Sequence, residues 1–264
     1  MAGDPTISML WERDEPLAAL ADRFGFAGVG EAVGWLRETL RTAGIGQVEQ
    51  CDRLVLSASN LLAVITVDGR RYVAKCCADP SRLARLREID SLVSWLGAEG
   101  LPVAARHGDP RRAEREGISV GLAPMVGGDL LDVGDPEQVV AAGRALAELH
   151  VALTAYPLGV GADQHLPGEQ LVHGDFRSAN VLYARGPGIT CVLDFDDVCY
   201  RSRTADLAQA AVLLGTRYHA WRPTEVGART RFLAAYSEVA PLGSEERAAL
   251  DRDITAVLGH FGWT

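Results

Sequence analysis

One stretch limits what this chain can become more than any other. It reads Leu171-Val172-His173-Gly174-Asp175-Phe176-Arg177-Ser178-Ala179-Asn180-Val181-Leu182, followed closely by Cys191-Val192-Leu193-Asp194-Phe195-Asp196-Asp197. An apolar run delivers a His, a Gly and an Asp into a short loop. The chain then presents an Asn and returns to an apolar run. After Gly186-Pro187-Gly188, a second apolar run ends in Asp194. The pattern predicts a strand, a turn and a strand that gather three oxygen-bearing side chains: Asp175, Asn180 and Asp194. One carboxylate can accept a hydroxyl proton. The other carboxylate and the amide oxygen can hold Mg²⁺, a hard cation that keeps waters and phosphates as its remaining partners. Phosphoryl transfer asks for this equipment, because it needs positioning and charge neutralisation more than covalent help.

The spacing His-Gly-Asp-x-x-x-x-Asn followed by Asp-Phe-Asp resembles the aminoglycoside phosphotransferase and choline kinase superfamily. These are small-molecule relatives of the protein kinases, whose pattern is His-Arg-Asp-x-x-x-x-Asn and Asp-Phe-Gly. Gly174 in place of Arg and Asp196 in place of Gly favour the small-molecule branch. The resemblance implies an α+β, two-lobed, protein-kinase-like fold. A small antiparallel β-sheet with one key helix forms the N-lobe, and the C-lobe is mostly helical. It also implies that Asp175 orients the acceptor hydroxyl and takes its proton, and that Asn180 and Asp194 hold Mg²⁺. The expected donor is ATP or GTP. Arg177 departs from the pattern: antibiotic-modifying relatives often have His there, and Ser/Thr protein kinases have Lys. An Arg could donate a fork to the transferring phosphoryl group. Asp196 offers itself to a second metal or a cationic acceptor, or stands as a surface acid.

With 264 residues, 48% hydrophobic and 23% charged, the chain suits one large domain or two lobes. Apolar runs fall short of the roughly 18 residues a membrane span needs. The start, Met1-Ala2-Gly3-Asp4-Pro5, has neither the basic residues nor the apolar core of a secretory signal. The five cysteines lack metal-ligand spacing and read as free thiols in a reducing cytosol. A formal charge of −9 argues against nucleic acid. A cytoplasmic monomer or dimer with a nucleotide and a small hydroxyl acceptor as partners is expected.

Along the chain, residues 1–15 read as polar and loose. Pro16–Phe24 and Gly30–Thr42 read as short helices of an N-terminal extension, 1–46. From 47 the period changes to two, opening an N-lobe over 47–126. Val48–Leu56, Leu61–Val67 and Arg70–Cys77 read as strands, with Asp68-Gly69 as a hairpin turn. The turn at Ser57, Ser59 and Asn60 stands where kinases cover the nucleotide phosphates. Lys75, in Val73-Ala74-Lys75, looks like the strand lysine that pairs the α- and β-phosphates. Asp79-Pro80 opens a helix whose Glu88 is the candidate partner of Lys75. Leu101-Pro102-Val103 leads toward another strand, and Gly108–Gly117 reads as a hairpin tip. The run into Gly127-Gly128 resembles the inter-lobe hinge, so the backbone at Ala123 and Met125 is expected to face the adenine, with Pro124 lacking a donor.

The C-lobe, 127–264, opens with a helix over Pro136–Tyr156, in which His150 reads as a packing or capping residue. Asp163 and His165 follow in a polar link and are candidates to face the acceptor. Asp206-Leu207-Ala208 resembles the superfamily segment whose Asp supports the catalytic loop. Thr224–Tyr236 and Ser244–Gly262 read as helices that wall the acceptor pocket in relatives. The function implied is a phosphotransferase acting on a hydroxyl of an antibiotic, aminoglycoside-like or another hydroxylated natural product. The alternatives are a metabolite kinase for homoserine, choline or a sugar, and a non-catalytic nucleotide-binding pseudokinase.

Overall fold

A computed structural model describes residues 5–10, 15–105, 112–160, 166–219 and 221–263. The chain divides into two compact units, 1–91 with 105–125, and 92–104 with 126–264. Asp163 and His165 lie outside the described residues, as does part of the 108–117 tip.

The first unit begins with β1 (Thr6–Met9), α1 (Pro16–Phe24) and α2 (Val29–Thr42). Next come β2 (Val48–Leu56), β3 (Asn60–Val67) and β4 (Arg70–Cys77). The helix α3 (Leu83–Ala98) runs from this unit into the second, and β5 (Ala113–Arg115) and β6 (Ile118–Pro124) complete the sheet. The strand order is β1-β2-β3-β4-β6-β5. Strand β1 corrects the expectation of a loose start. It adds in parallel to β2, with Thr6 beside Arg53 and Met9 beside Leu56. Its brief alternation, with Ile7 and Met9 packed on the core, is too short to stand out in sequence.

Strands β3 and β4 alternate as their sequence does, because successive side chains point to opposite faces. One face carries Leu61, Ala63, Ile65 and Val67 of β3 with Ala74 and Cys76 of β4. It shares a core with Leu20 and Phe24 of α1 and with Trp35, Leu36 and Leu40 of α2. The other face carries Leu62 and Val64 opposite Lys75 and Val73. The β3–β4 turn takes positive φ at Asp68 and Gly69 (48° and 73°), as a two-residue hairpin of this type requires. Asp79 accepts the Ser81 amide (3.0 Å) and Pro80 follows, starting α3 through a single 3-10 turn. Among the described residues, the segment expected to lead into a strand after Pro102 shows only an isolated parallel bridge of Val103 to Val192.

The second unit contains β7 (Asp129–Leu130), α4 (Pro136–Thr154), β8 (Gln170–Val172), β9 (Val181–Ala184) and β10 (Gly188–Val192). It ends with β11 (Cys199–Arg201), α5 (Arg203–Leu213), α6 (Val226–Val239) and α7 (Ser244–His260). Strands pair as β10-β9-β7 and β11-β8. Asp135 caps α4 by accepting the Glu137 amide (2.9 Å), with Pro136 in the first turn. Helices α4 and α6 approach so closely that a Cβ on Gly143 would lie 2.4 Å from the Phe232 carbonyl oxygen. That contact fixes the helical floor on which β8 and the loop after it rest.

Candidate active site

Strand β8 ends at Val172, and the loop beyond it is set by hydrogen bonds at nearly every residue. His173 is fully buried. Its Nε2 donates to the Leu193 carbonyl (3.0 Å) and its Nδ1 accepts the Asp175 amide (3.2 Å), which fixes a neutral tautomer. Burial pushes the His173 pKa down, against the opposing charge of Asp206. Gly174 has φ +87°, and a Cβ there would lie 2.2 Å from the Asp197 carbonyl oxygen. No side chain fits that position, which is why the loop needs glycine.

The Gly174 amide donates to Asp206 Oδ1 (3.1 Å), and its carbonyl accepts from Gln209 Nε2 (2.6 Å). Asp206, at the start of α5, is 1% exposed. It also binds Arg201, and its Oδ2 binds His150 Nε2 at 3.0 Å. Burial alone would raise the Asp206 pKa. The hydrogen bond and charge of His150 and the charge of Arg201 outweigh it and hold the carboxyl well below the usual range. Beyond His150, Nδ1 meets the Tyr236 hydroxyl at 2.8 Å, and burial pushes that phenol up to about 12. His150 is thus more than a packing residue, because it carries support from α6 to the loop.

Two of the expected residues, Asp175 and Asn180, meet directly, and Asp194 follows a residue tied to Asn180. Asn180 Nδ2 donates to the Asp175 carbonyl (2.9 Å) and to Asp175 Oδ2 (2.8 Å). The Asn180 carbonyl accepts the Leu193 amide (2.7 Å), so Asp194 follows directly from a residue tied to both Asn180 and His173. Asp194 itself is exposed, with φ 59° and ψ 74°. Asp tolerates this left-handed conformation better than most residues, and such strain clusters at functional sites. Asp197 titrates above the usual carboxylate range, through desolvation and then the nearby charges of Asp175, Asp194 and Asp196.

The donor set suits a hard divalent cation. The Asn180 amide nitrogen is committed to Asp175, which leaves its oxygen as the acceptor, and Asp194 offers a carboxylate. Among the described residues, three or more His, Cys, Asp or Glu side chains do not gather into a metal-holding group. Two protein oxygens with phosphates and waters completing the shell is the arrangement Mg²⁺ favours over a protein cage.

A model of the Phosphotransferase enzyme family matches residues 53–165 and 160–250. The chain belongs to this family, the APH phosphotransferases. No curated protein sequence matches the chain. Among solved structures it is similar to a microcompartment-associated aminopropanol kinase, at 19% identity and TM-score 0.61, over 85% of this chain and 86% of that one. It is similar to a macrolide 2'-phosphotransferase type I at 14% identity and TM-score 0.56, over 84% and 87%. A spectinomycin phosphotransferase in complex with ADP and spectinomycin aligns at 11% identity and TM-score 0.56, over 87% of each chain. These likenesses establish the α+β, protein-kinase-like fold of this APH-family chain.

The remaining expected residues fall on both units. Arg177 is 5% exposed, and its Nε donates to both oxygens of Asp175 (2.8 and 3.0 Å). Lys75 lies on the sheet face opposite α1 and α2, paired in register with Leu62 and Gly121. Glu88 has a side chain 45% exposed and stands 3.8 Å from Arg85. In the β2–β3 turn, the Ser57 hydroxyl accepts the Asn60 amide (3.0 Å) and donates to its carbonyl (3.2 Å); Ser59 is exposed.

The hinge requires a correction. The Met125 amide donates to the Arg71 carbonyl (3.0 Å), inside the sheet. By the two-residue period of an antiparallel ladder, Ala123 and Val73 form the next hydrogen-bonded pair. The backbone groups turned away from β4 on this strand are therefore those of Leu122 and Pro124, one residue out of step with the expected Ala123 and Met125.

Sequence reasoning missed Gln209, which holds the Gly174 carbonyl. It also missed Ser178, whose hydroxyl donates to the Leu214 carbonyl (2.6 Å). Both act across long sequence separations, and neither belongs to a spaced motif. Arg112 and Asp90 were missed as well: a bidentate pair (2.9 and 3.0 Å) joins the start of β5 to α3. The five cysteines are free, and burial pushes the thiols of Cys76 and Cys191 up to about 12, so they are inert.

Proposed function

We propose that this APH-family chain transfers the γ-phosphoryl group of ATP or GTP to a hydroxyl of a small molecule. The observation that carries the reading is the junction at Leu193, which ties His173 and Asn180 to the strand end bearing Asp194 and sets Asn180 against Asp175. Asp175 would orient the acceptor hydroxyl and take its proton. Its carboxylate has lone pairs beyond those engaged by Arg177 and Asn180, so it can accept one more hydrogen bond. Asn180 and Asp194 would hold Mg²⁺, which supplies charge neutralisation to the phosphates when bound. Lys75 would hold the α- and β-phosphates with Glu88 as its partner, and the turn at Ser57, Ser59 and Asn60 would cover them. The Pro124 carbonyl takes the base-facing place expected of Ala123 and Met125. Arg177 would lower the negative charge between Asp175 and the incoming phosphoryl group.

For the acceptor, the names of the macrolide and spectinomycin enzymes support a hydroxylated antibiotic, and the role would then be inactivation in the cytoplasm. The aminopropanol kinase supports the metabolite reading. A panel of antibiotics and amino alcohols in a nucleotide-consumption assay separates them by which one is turned over.

The test of the chemistry is Asp175→Ala. Its turnover should fall by about a thousandfold with the fold intact by circular dichroism. Activity within a few-fold of the parent removes the proposed base. A thermal-shift measurement with nucleotide and Mg²⁺ covers the pseudokinase alternative. Stabilisation by nucleotide with no consumption of it across the panel would favour that alternative.

A further inference from the structure

The catalytic loop is met by a row of aromatic rings that no motif announces. Trp221 precedes α6, and Phe261 and Trp263 follow the last turn of α7. The Trp221 and Phe261 rings lie 5.7 Å apart at 32°, and Phe261 stacks on Trp263 at 4.6 Å and 16°. At the near end, the guanidinium carbon of Arg177 is 5.4 Å from the centre of the Trp221 ring. The same guanidinium bonds both oxygens of Asp175. One guanidinium therefore separates the row of rings from the proposed base. Trp221 is 44% exposed, although large aromatic side chains are usually well buried.

We propose that Trp221, Phe261 and Trp263 form a wall of the acceptor site. The acceptor they take is an uncharged hydroxyl compound that presents a flat aromatic ring or the CH face of a sugar. This rests on the phosphotransferase reading above and names the substrate class of that same site. Aromatic faces reward such partners through burial and ring geometry. A cationic ring would also be drawn to an indole face. Here, though, the chain's own Arg177 guanidinium already lies over Trp221 and fills that cation position, its charge matched by the Asp175 carboxylate. The rest of the row rewards flat or CH faces, and neutral glycosides or aryl alcohols fit.

The test uses the full chain and its intrinsic tryptophan fluorescence, titrated with phenyl β-glucoside, methyl β-glucoside and kanamycin. The phenyl compound should half-saturate the signal at a concentration about tenfold lower than the methyl compound. Trp221→Leu, checked for an unchanged melting midpoint, should abolish that difference, and Trp263→Ala should reduce it. Equal half-saturation by the two glycosides, preference for kanamycin, or no response to any of the three overturns the proposal. So does a Trp221→Leu variant that keeps the difference. Because this readout is binding, it fails separately from the chemistry. A retained phenyl preference without nucleotide consumption by any acceptor keeps the wall and sinks the kinase reading. Nucleotide consumption with equal KM for phenyl and methyl glycosides does the reverse.

Discussion

The loop that carries Asp175 and the sheet face that carries Lys75 are held in place by different means. In the loop, the amides of Gly174 and Asp175, the Gly174 carbonyl and the side chains of His173 and Asn180 each have a partner of fixed geometry. Its position is over-determined, and Asp206 is the hub. On the sheet face, the strand ladder sets the register. The rung Asn60–Cys77–Ser119 lies beside the rung Leu62–Lys75–Gly121. Asn60 Oδ1 and Ser119 Oγ on the first of these are buried without a hydrogen-bond partner. So is Nη1 of Arg112, whose guanidinium sits where a Gly121 Cβ would come within 2.7 Å of it. The geometry of the Asp175 loop is thus built in advance on one unit, while polar atoms on the other are positioned but not satisfied. Unsatisfied buried groups of this kind are uncommon and cluster where a protein meets water or ligand.

The largest expected effect that would break this contrast comes from Gly174→Ala. The added Cβ cannot coexist with the Asp197 carbonyl at 2.2 Å. Stability should drop by about 3 kcal/mol or more, read by urea denaturation. Wild-type stability would mean that the loop is not over-determined. Asp206→Asn should follow closely, since breaking a buried charge pair costs about 3–5 kcal/mol. A loss below about 1 kcal/mol would remove Asp206 as the hub.

The same network dictates a response to acid. The folded pKa of His173 is lowered, so below about pH 6.5 the unfolded chain takes up its proton first and stability begins to fall. The folded pKa of Asp206 is also lowered. Its contribution is full above the unfolded carboxylate value of about 4 and is lost as the pH falls further. Melting midpoints from pH 8 to 3 should decline in two stages, and Asp206→Asn should flatten the lower one.

Two serines sharpen the comparison directly. Ser178→Ala removes a satisfied donor and should cost about 1 kcal/mol by chemical denaturation. Ser119→Ala removes an unsatisfied hydroxyl and should be neutral or slightly stabilising. Equal losses would erase the contrast. Smallest of all, reversing the exposed Arg144–Glu238 pair should change stability by less than about 0.5 kcal/mol.

How much of this is legible in the chain depends on distance along it. The β2–β3–β4 meander can be read because period-two alternation and Asp68-Gly69 are local signals. The Asp175 loop can be read because Asp175, Asn180 and Asp194 keep a fixed spacing. The backbone groups at the end of β6 that turn away from β4 fall one residue from those expected, because their parity is set by how β6 pairs with β4, and register is not written in β6 itself. The parallel β1 escapes notice because four residues show too little alternation, and its partner β2 lies beyond two intervening helices. On α3, Asp90 forms a close, partly buried pair, and its partner Arg112 comes from the far side of a long connection that no local window spans. Trp221, Phe261 and Trp263 are drawn together only when α7 folds back against α5, so no short window of sequence contains them all.

The helices α1 and α2 read in sequence as an extension, but they are the lid of a shared interior with Leu54, Leu56, Leu61 and Ile65. A chain begun at residue 47 would turn that whole side of the sheet toward water, with no second layer to cover it. Such a shortened protein should clump rather than work as a smaller enzyme, even though no residue proposed for the chemistry has been removed.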